Sequence, residues 1–315
     1  MKMAVTGGAG FIGHWLVKRL LEDGHEVWVM DDLSNGRREN LEEFAGHPGF
    51  KDFLKGDIKD AVMLDGFFSN CFDVCYHLAA SINVQDSIDA PRTTFENDVM
   101  GTFNVLEQCK KHGTKVVFMS TCMVYDRAQE NTGITESHPL KPASPYAGSK
   151  ISGENMVLSY WYAYGLPAVV VRPFNTYGPF QKMGGEGGVI AIFIKKKLAD
   201  EDLSIFGDGV QTRDFLYVED CADFVARCGY SDAVNGEIVN AGLGRDVSIN
   251  DLALLIAGDQ AQIRHLPHIH PQSEIMKLLC NYEKAARLLD WQPQHSLEEG
   301  IHKTMEWIRK NSSLI

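Results

Sequence analysis

Five short runs rich in apolar residues punctuate the first half of the chain: KMAVT at 2–6, HEVWVMD at 25–31, DVCYHLA at 73–79, TKVVFMS at 114–120 and LPAVVVR at 166–172. Between them lie longer stretches in which apolar residues return every three or four positions, at FIGHWLVKRLLEDG after the first run, at about 95–112 and at about 146–164. Near-continuous apolar runs of this length fit strands buried on both faces, and the intervening period fits helices. Strand and helix in alternation predict βαβ units and an α/β fold, a Rossmann-type doubly wound parallel sheet. Gly24 and Gly113 stand just past helical stretches, where a left-handed cap is expected. After Arg172 the rhythm breaks into the loop-forming RPFNTYGPFQKMGGEGGV. The expected organisation is a dinucleotide-binding region over 1–171, with a return segment at about 216–239, interleaved with a smaller substrate-binding region over 172–315.

Charge and cysteine usage narrow the partners. The formal net charge is −12, from 30 Lys and Arg against 42 Asp and Glu. That balance opposes nucleic acid and anionic lipid as partners, so an anionic ligand needs a local site. The seven cysteines are an odd number, scattered and without a CxxC pair, which fits reduced thiols in a cytoplasmic protein. A strand begins within the first residues, leaving no room for a signal peptide, and no apolar run reaches membrane-spanning length.

The first candidate site is GGAGFIG at 7–13, which places Gly7, Gly10 and Gly13 between a strand and a helix. Such a turn lets backbone approach a diphosphate and aims the N–H groups of the helix start, around Phe11 and Ile12, at the anion. Asp31 ends the next strand, about 20 residues on, where a carboxylate accepts the ribose hydroxyls of an adenosine. A 2′-phosphate would meet like charge there, so NAD is expected over NADP, although Arg37 and Arg38 follow in the next loop. Asp57, with Ile58 in KGDI, reads either as part of this site or as a solvated turn residue.

The second candidate site is SPYAGSK, in which Tyr146 and Lys150 stand four apart at a helix start and share a face. A free phenol ionises near pH ~10 and is a poor base at neutral pH. A neighbouring ammonium stabilises the phenolate and makes it a usable proton acceptor and donor. On its own the spacing also fits a surface Tyr with a solvated Lys.

Taken with Thr121 at a strand end, these features resemble the extended short-chain dehydrogenase/reductase family, and within it the nucleotide-sugar epimerases and dehydratases of UDP-glucose 4-epimerase type. The resemblance runs through TGGAGFIG, DDLSNG, GDI, HLAA (Ala79, Ala80), END (Asn97), YAGSK, RPFNTYGP, GDGVQTRDFLYVEDCA and LLDWQP with SLEEGI. It implies that Thr121 holds a sugar hydroxyl, that Tyr146 takes the O4 proton and that Lys150 binds the nicotinamide ribose, so that a bound NAD takes hydride from C4. It places Gly7, Gly10, Phe11, Ile12, Gly13, Asp31, Asp57, Ile58, Ala79, Ala80, Asn97 and Lys150 around NAD. Thr121, Asn175, Val189, Phe206 and Arg213 are placed around the nucleotide sugar, with Asn175 and Arg213 on the diphosphate and Phe206 on the base. An ion pair of Arg213 with Asp214 or Asp220 is the plainer reading of that residue. Near HIHPQSEI, where relatives often carry a second phosphate-binding Arg, this chain has His268 and His270. His265, His268 and His270 lack carboxylate or Cys partners and are not expected to bind metal.

The stretch MSTCMVYD at 119–126 separates the activities. Dehydratases of the family resemble one another in placing Asp and Glu directly after the Thr, and decarboxylases usually keep the Glu; here the positions are Cys122 and Met123. Met cannot transfer a proton, and a thiol is a poor substitute for a carboxylic acid. The expectation is a 4-epimerase acting on a UDP-sugar. A dehydratase or eliminase drawing an acid from elsewhere, such as Asp126 or Glu186, is the alternative. A non-catalytic NAD-binding module is the alternative of another class. The resemblance also implies a homodimer paired through the two long helices, where Val157, Leu158, Tyr160 and Trp161 put apolar residues on more than one face. Packing of that extra face against the chain's own sheet is the other reading.

Overall fold

The computed structural model describes residues 1–129, 132–183, 188–258, 262–268, 271 and 274–311. Twelve strands occur among them: β1 (Lys2–Thr6), β2 (Glu26–Asp31), β3 (Phe50–Lys55), β4 (Val74–His77), β5 (Lys115–Met119), β6 (Ala168–Pro173), β7 (Asn175–Tyr177), β8 (Leu203–Phe206), β9 (Thr212–Tyr217), β10 (Ile238–Ala241), β11 (Asp246–Ser248) and β12 (Ile263–Leu266). Seven form one sheet in the order β10-β6-β5-β4-β1-β2-β3. Every pairing in it is parallel.

Both faces of this sheet are covered, which is why its central strands read as apolar without alternation. On one face Met3 and Val5 of β1 pack with Leu16, Val17 and Leu20 of the helix Phe11–Glu22 and with Phe224 and Val225 of the helix Val218–Tyr230. On the other, Ala4 and Cys75 pack with Leu64, Phe67 and Phe68 of the helix Ala61–Phe68, with Val105 and Leu106 of the helix Gly101–His112, and with Val157 of the helix Pro145–Tyr164. Chain order reverses between β1 and β4, opening a crevice at the carboxyl ends of the strands.

Two features differ from the sequence expectation. β3 was not anticipated: it is an edge strand whose FKDFLK leaves Lys51, Asp52 and Lys55 exposed, so it carries no apolar run. The helix expected over 95–112 begins earlier, at Pro91–Phe95, and passes through a π-helical turn, Glu96–Met100, before Gly101–His112. A single π turn keeps the apolar spacing nearly intact while shifting the face that follows it.

The later part of the chain adds a three-stranded sheet, β11-β9-β7, and the pair β12-β8, around a separate core that includes Ile190, Phe193, Leu252 and Ile301. β10 rejoins the main sheet beside β6. Asp214 of β9 ties these segments together: its fully buried carboxylate accepts from the N–H groups of Leu243 (2.7 Å), Gly244 (2.9 Å) and Cys280 (3.1 Å).

Candidate functional site: a two-compartment cleft

A cleft of about 1330 Å³ runs along the carboxyl ends of the parallel strands. It is larger than the usual single-ligand pocket, as two ligands side by side require. Gly7, Gly10, Phe11, Ile12, Gly13, Asp31, Ile58, Ala79, Ala80, Asn97, Thr121, Tyr146, Lys150 and Asn175 all line it. Residues from six strand ends and helix starts, distant in sequence, therefore converge on one surface.

At one end the glycine turn forms the wall. A Cβ on Gly13 would stand 2.2 Å from the Gly7 carbonyl oxygen, so helix and turn lie too close for any side chain. A Cβ on Gly10 would meet only that same oxygen, at 3.2 Å, and otherwise project into the open cleft. No side chain caps the helix Phe11–Glu22, whose first turn faces that space. A free helix N-terminus under a cradle that one methyl group would fill suits a diphosphate.

Asp31 is positioned by its own neighbours: Oδ2 accepts from Ala9 N at 3.0 Å and Oδ1 from Leu33 N at 2.8 Å. Burial lifts its carboxyl above the ordinary carboxylate range, and these two backbone bonds oppose the lift. Each oxygen retains a lone pair for a ribose hydroxyl. Of the two arginines after it, Arg38 stacks on Phe53, 5.4 Å from the ring centroid, while Arg37 lines the cleft. Asp57 is not part of the wall; it accepts from Lys59 N at 2.8 Å and pairs with the Lys59 ammonium at 3.3 Å, as the turn reading has it.

At the other end stand Thr121, Tyr146 and Lys150, a candidate triad. Thr121 follows β5 and caps the 3-10 turn Cys122–Val124, its Oγ1 accepting from Met123 N at 3.2 Å. Ser144 caps the helix Pro145–Tyr164 by accepting from Ala147 N at 3.2 Å, and Pro145 opens it, so Tyr146 sits in a rigid first turn. The phenol faces the Thr121 hydroxyl; burial raises it well above its ordinary ionisation range, the nearby Asp98 adds to this, and Thr121 opposes it. Lys150 is 4% exposed and donates to the Met119 carbonyl at 3.0 Å, with its nitrogen 6.0 Å from the Tyr146 ring centroid. Burial lowers its ammonium, and Asp98 and Glu154 counter that effect.

Behind the triad is a charge network that pattern reading did not include. The buried Glu154 holds Arg172 of β6 through Nε at 2.8 Å and Nη2 at 2.5 Å, and also accepts from Ser120, the residue before Thr121. The guanidinium lies over Tyr125, 4.6 Å from the ring centroid. Glu154 stands four residues after Lys150, the spacing that already linked Tyr146 to Lys150, so a signal for it existed. Asp86, Phe180 and Trp307 also line the cleft without having been anticipated.

Three of the expected substrate residues lie outside the cleft wall: Val189 adjoins the lining residue Gly188, Phe206 is 43% exposed, and Arg213 is engaged by other partners. The Arg213 guanidinium donates to the carbonyls of Thr212 (2.8 Å) and Ile275 (2.7 Å) and pairs with Glu274. Its partner is therefore neither Asp214 nor Asp220, whose carboxylates are occupied by backbone N–H groups and, for Asp220, also by His295. Contrary to the sequence expectation, His268 has a carboxylate partner, the same Glu274, at 2.6 Å, while His265 contacts Asn250 at 3.0 Å. His270 and Glu186 lie outside the described residues. Among the described residues no cluster of three His, Cys, Asp or Glu could hold a metal.

Comparison with known proteins shows the family. The model of the NAD dependent epimerase/dehydratase family matches residues 3–242. The chain belongs to that family. It is 39% identical to a UDP-glucose 4-epimerase of Mycolicibacterium smegmatis, over 99% of this chain and 100% of the relative. Among solved structures, Pal from Bacillus thuringiensis superposes with a TM-score of 0.97 at 65% identity, covering 98% of this chain and 99% of Pal. A Thermus thermophilus UDP-glucose 4-epimerase in complex with NAD superposes with a TM-score of 0.90 at 32% identity, covering 99% and 100%. Within the family frame, Cys122 and Met123 face the cleft beside Thr121. Burial pushes the Cys122 thiol up to about 12. Neither side chain is an acid at neutral pH. Asp126 does not enter the cleft; it bonds to the Arg127 N–H at 2.8 Å and faces Lys141 at 3.7 Å.

Proposed function

We propose that this protein is an NAD-dependent nucleotide-sugar 4-epimerase acting on a UDP-sugar. The observation that carries the reading is the convergence of Thr121, Tyr146 and Lys150 on a cleft whose other end is a glycine cradle with Asp31 beside it. The names of the relatives support the uridine nucleotide and the 4-epimerase chemistry. Bound NAD supplies the hydride acceptor and donor for the sugar C4. Thr121 holds the O4 hydroxyl by hydrogen bond, and Tyr146 takes its proton and later gives it back. Lys150 favours the phenolate by its charge and reaches the nicotinamide ribose. Gly7, Gly10, Gly13 and the N–H groups of Phe11 and Ile12 receive the diphosphate, Asp31 the adenosine ribose, and Ile58, Ala79, Ala80 and Asn97 the rest of the dinucleotide. Asn175 serves the nucleotide of the sugar, and Val189, Phe206 and Arg213 are the further residues assigned to that compartment.

Cys122 and Met123 make the floor of the sugar compartment neutral, which suits a ketone that turns over and is reduced on its other face. The residues that line the cleft include one carboxylate, Asp86, outside the stretch 31–40 that follows β2; it is the candidate acid if elimination occurs instead. We propose further that 1–171 with 216–239 serves the dinucleotide and 172–315 the sugar nucleotide, that the protein is cytoplasmic, and that it is a homodimer. The dimer reading rests on Phe95, Met100 and Phe103, exposed along one helical segment, and on the groove this segment forms with Pro145, Gly148 and Ser152. Of the four residues singled out in the sequence, Val157 and Tyr160 are buried in the chain's own core and Leu158 packs against it, while Trp161 abuts Gly236. A dimeric mass by light scattering is expected; a monomeric mass at micromolar concentration refutes the pairing.

The test of the activity is a proton NMR time course in D₂O with NAD and a panel of UDP, dTDP and GDP sugars. Inversion at C4 without deuterium at C5 is expected. A 4-keto-6-deoxy product, or deuterium at C5, overturns the epimerase reading and directs attention to Asp86.

A further inference from the structure

Beneath the triad lies a carboxylate for which the chemistry above has no use. Asp98 stands in the π-helical turn Glu96–Met100, is 2% exposed and does not line the cleft. Its Oδ1 accepts from Ser81 N at 2.7 Å and from Asn97 Nδ2 at 3.3 Å, and its Oδ2 lies 2.9 Å from Ser149 Oγ. Ser149 Oγ is also 2.8 Å from the Tyr146 carbonyl, so one hydroxyl joins Asp98 to the helical turn that carries both Tyr146 and Lys150. Among the described residues no Lys, Arg or His nitrogen comes within 4.0 Å of the Asp98 carboxylate. Two carboxylates favour the Lys150 ammonium, and Glu154 is already neutralised by its two-pronged bond to Arg172. Asp98 is the one without an ion pair of its own, and it alone of the two also acts on Tyr146.

We propose that Asp98 is a positioning residue for the proton-transfer pair: a buried carboxylate with no ion pair of its own, tied through Ser149 to the turn that bears Tyr146 and Lys150. The inference rests on Tyr146 and Lys150 being that pair. The other groups facing them leave the charge balance to Asp98. His77 of β4 is fully buried between Thr6 (2.7 Å) and Thr102 (3.0 Å) and is held neutral, lowered to about 3 by burial and then by Lys150. Cys122 is a protonated thiol, and Glu154 belongs to Arg172. Removing the Asp98 charge therefore frees the phenol to ionise at lower pH, and it withdraws support from the ammonium.

Asp98→Asn isolates this effect. The amide oxygen still accepts from Ser81 N, and the amide nitrogen donates to Ser149 Oγ, which keeps its bond to the Tyr146 carbonyl. Shape and hydrogen bonds persist while the charge is lost. In the NAD-loaded protein carrying ¹³Cζ-labelled tyrosine, the Tyr146 resonance, assigned by its loss in Tyr146→Phe, is followed from pH ~6 to the alkaline limit of the folded protein, about pH 12. Ionisation in Asp98→Asn is expected at lower pH than in the wild type by about one unit, and the acid limb of kcat/KM moves with it. Asp98→Glu, which restores the charge, returns both towards wild type. Coincident phenol titrations, absence of ionisation in the Asn variant, or an Asn variant that does not fold overturns the proposal. Ser149→Ala is expected to lower kcat with KM and the pH profile unchanged; an unaltered kcat removes the tether. If Tyr146→Phe is active, the functional reading fails on that result, whereas the phenol titration decides the role of Asp98 independently.

Discussion

Glu154→Gln should destabilise the protein by about 3–5 kcal/mol, the range for removing one partner of a buried ion pair. The magnitude follows from the surroundings. The Arg172 side chain is 1% exposed and that of Glu154 is 3%, so neither can turn to water. Glutamine keeps one acceptor oxygen for Arg172 but presents an amide N–H₂ to the other guanidinium nitrogen, losing a charge-assisted hydrogen bond of about 1.5–3 kcal/mol. The guanidinium then remains buried without a counter-charge, and its contact with Tyr125 offsets only ~1–2 kcal/mol. Among the described residues Arg172 Nη1 has no hydrogen-bond partner even in the wild type, so the pair itself is an imperfect source of stability. The double variant Glu154→Leu/Arg172→Met should therefore recover most of the loss and come within about 2 kcal/mol of wild type. Urea unfolding followed by circular dichroism, run as a double-mutant cycle, measures both quantities. A Glu154→Gln protein within 1 kcal/mol of wild type would refute the reasoning, as would a double variant whose loss equals the sum of the singles. Because Ser120 bonds to Glu154 and precedes Thr121, the double variant should regain stability without regaining full activity.

Three further outcomes are expected. Tyr146→Phe should lower kcat by ~10²–10⁴ while UDP affinity is unchanged, since in the proposed mechanism the missing hydroxyl transfers a proton and holds no part of the nucleotide; steady-state kinetics and calorimetry check this. Gly10→Ala should leave the melting temperature within about 2 °C but weaken NAD binding by ~10-fold or more, because its methyl group enters the cleft rather than the core; NAD titration of stripped protein provides the measurement. Of the seven thiols, Cys71 is exposed and the other six are buried, so native protein should react with one equivalent of a thiol reagent at neutral pH and Cys71→Ser with none; rapid labelling of a second thiol would place Cys122 in contact with solvent.

What could be read from the chain alone was what is written in short spans. The glycine turn, the strand-ending Asp31 and the Tyr146–Lys150 spacing are each local patterns with a local physical cause, and the central strands are legible because both of their faces are buried. β3 escaped because its burial is that of an edge, with Phe53 and Leu54 half-buried amid Lys and Asp. The partner of Arg213 escaped for a different reason: Glu274 lies 61 residues away, brought there by the pairing of Thr212 with Lys277 beyond the end of the sheet. Asp98 was one letter from the named Asn97, yet its meaning depends on Ser149, 51 residues on, and on a π turn that rotates it inward.

The helix Pro145–Tyr164 unites these levels. Tyr146, Lys150 and Glu154 repeat at four-residue intervals along one face, and their exposure falls from 8% to 4% to 2%. The phenol is thus the member nearest the sugar compartment, the ammonium sits one turn deeper, and the carboxylate one turn deeper again, already bound to Arg172 of β6. A charge placed at the surface end of such a ladder would be screened by water, and at the deep end it would not reach the substrate. With the ammonium in the middle, flanked by Glu154 along the helix and Asp98 across from it, the phenol is the member of the ladder that the proposed reaction uses to exchange a proton at the cleft. That arrangement is what a reversible oxidation at C4 demands, since the proton removed in the first half of the reaction must still be at hand for the second.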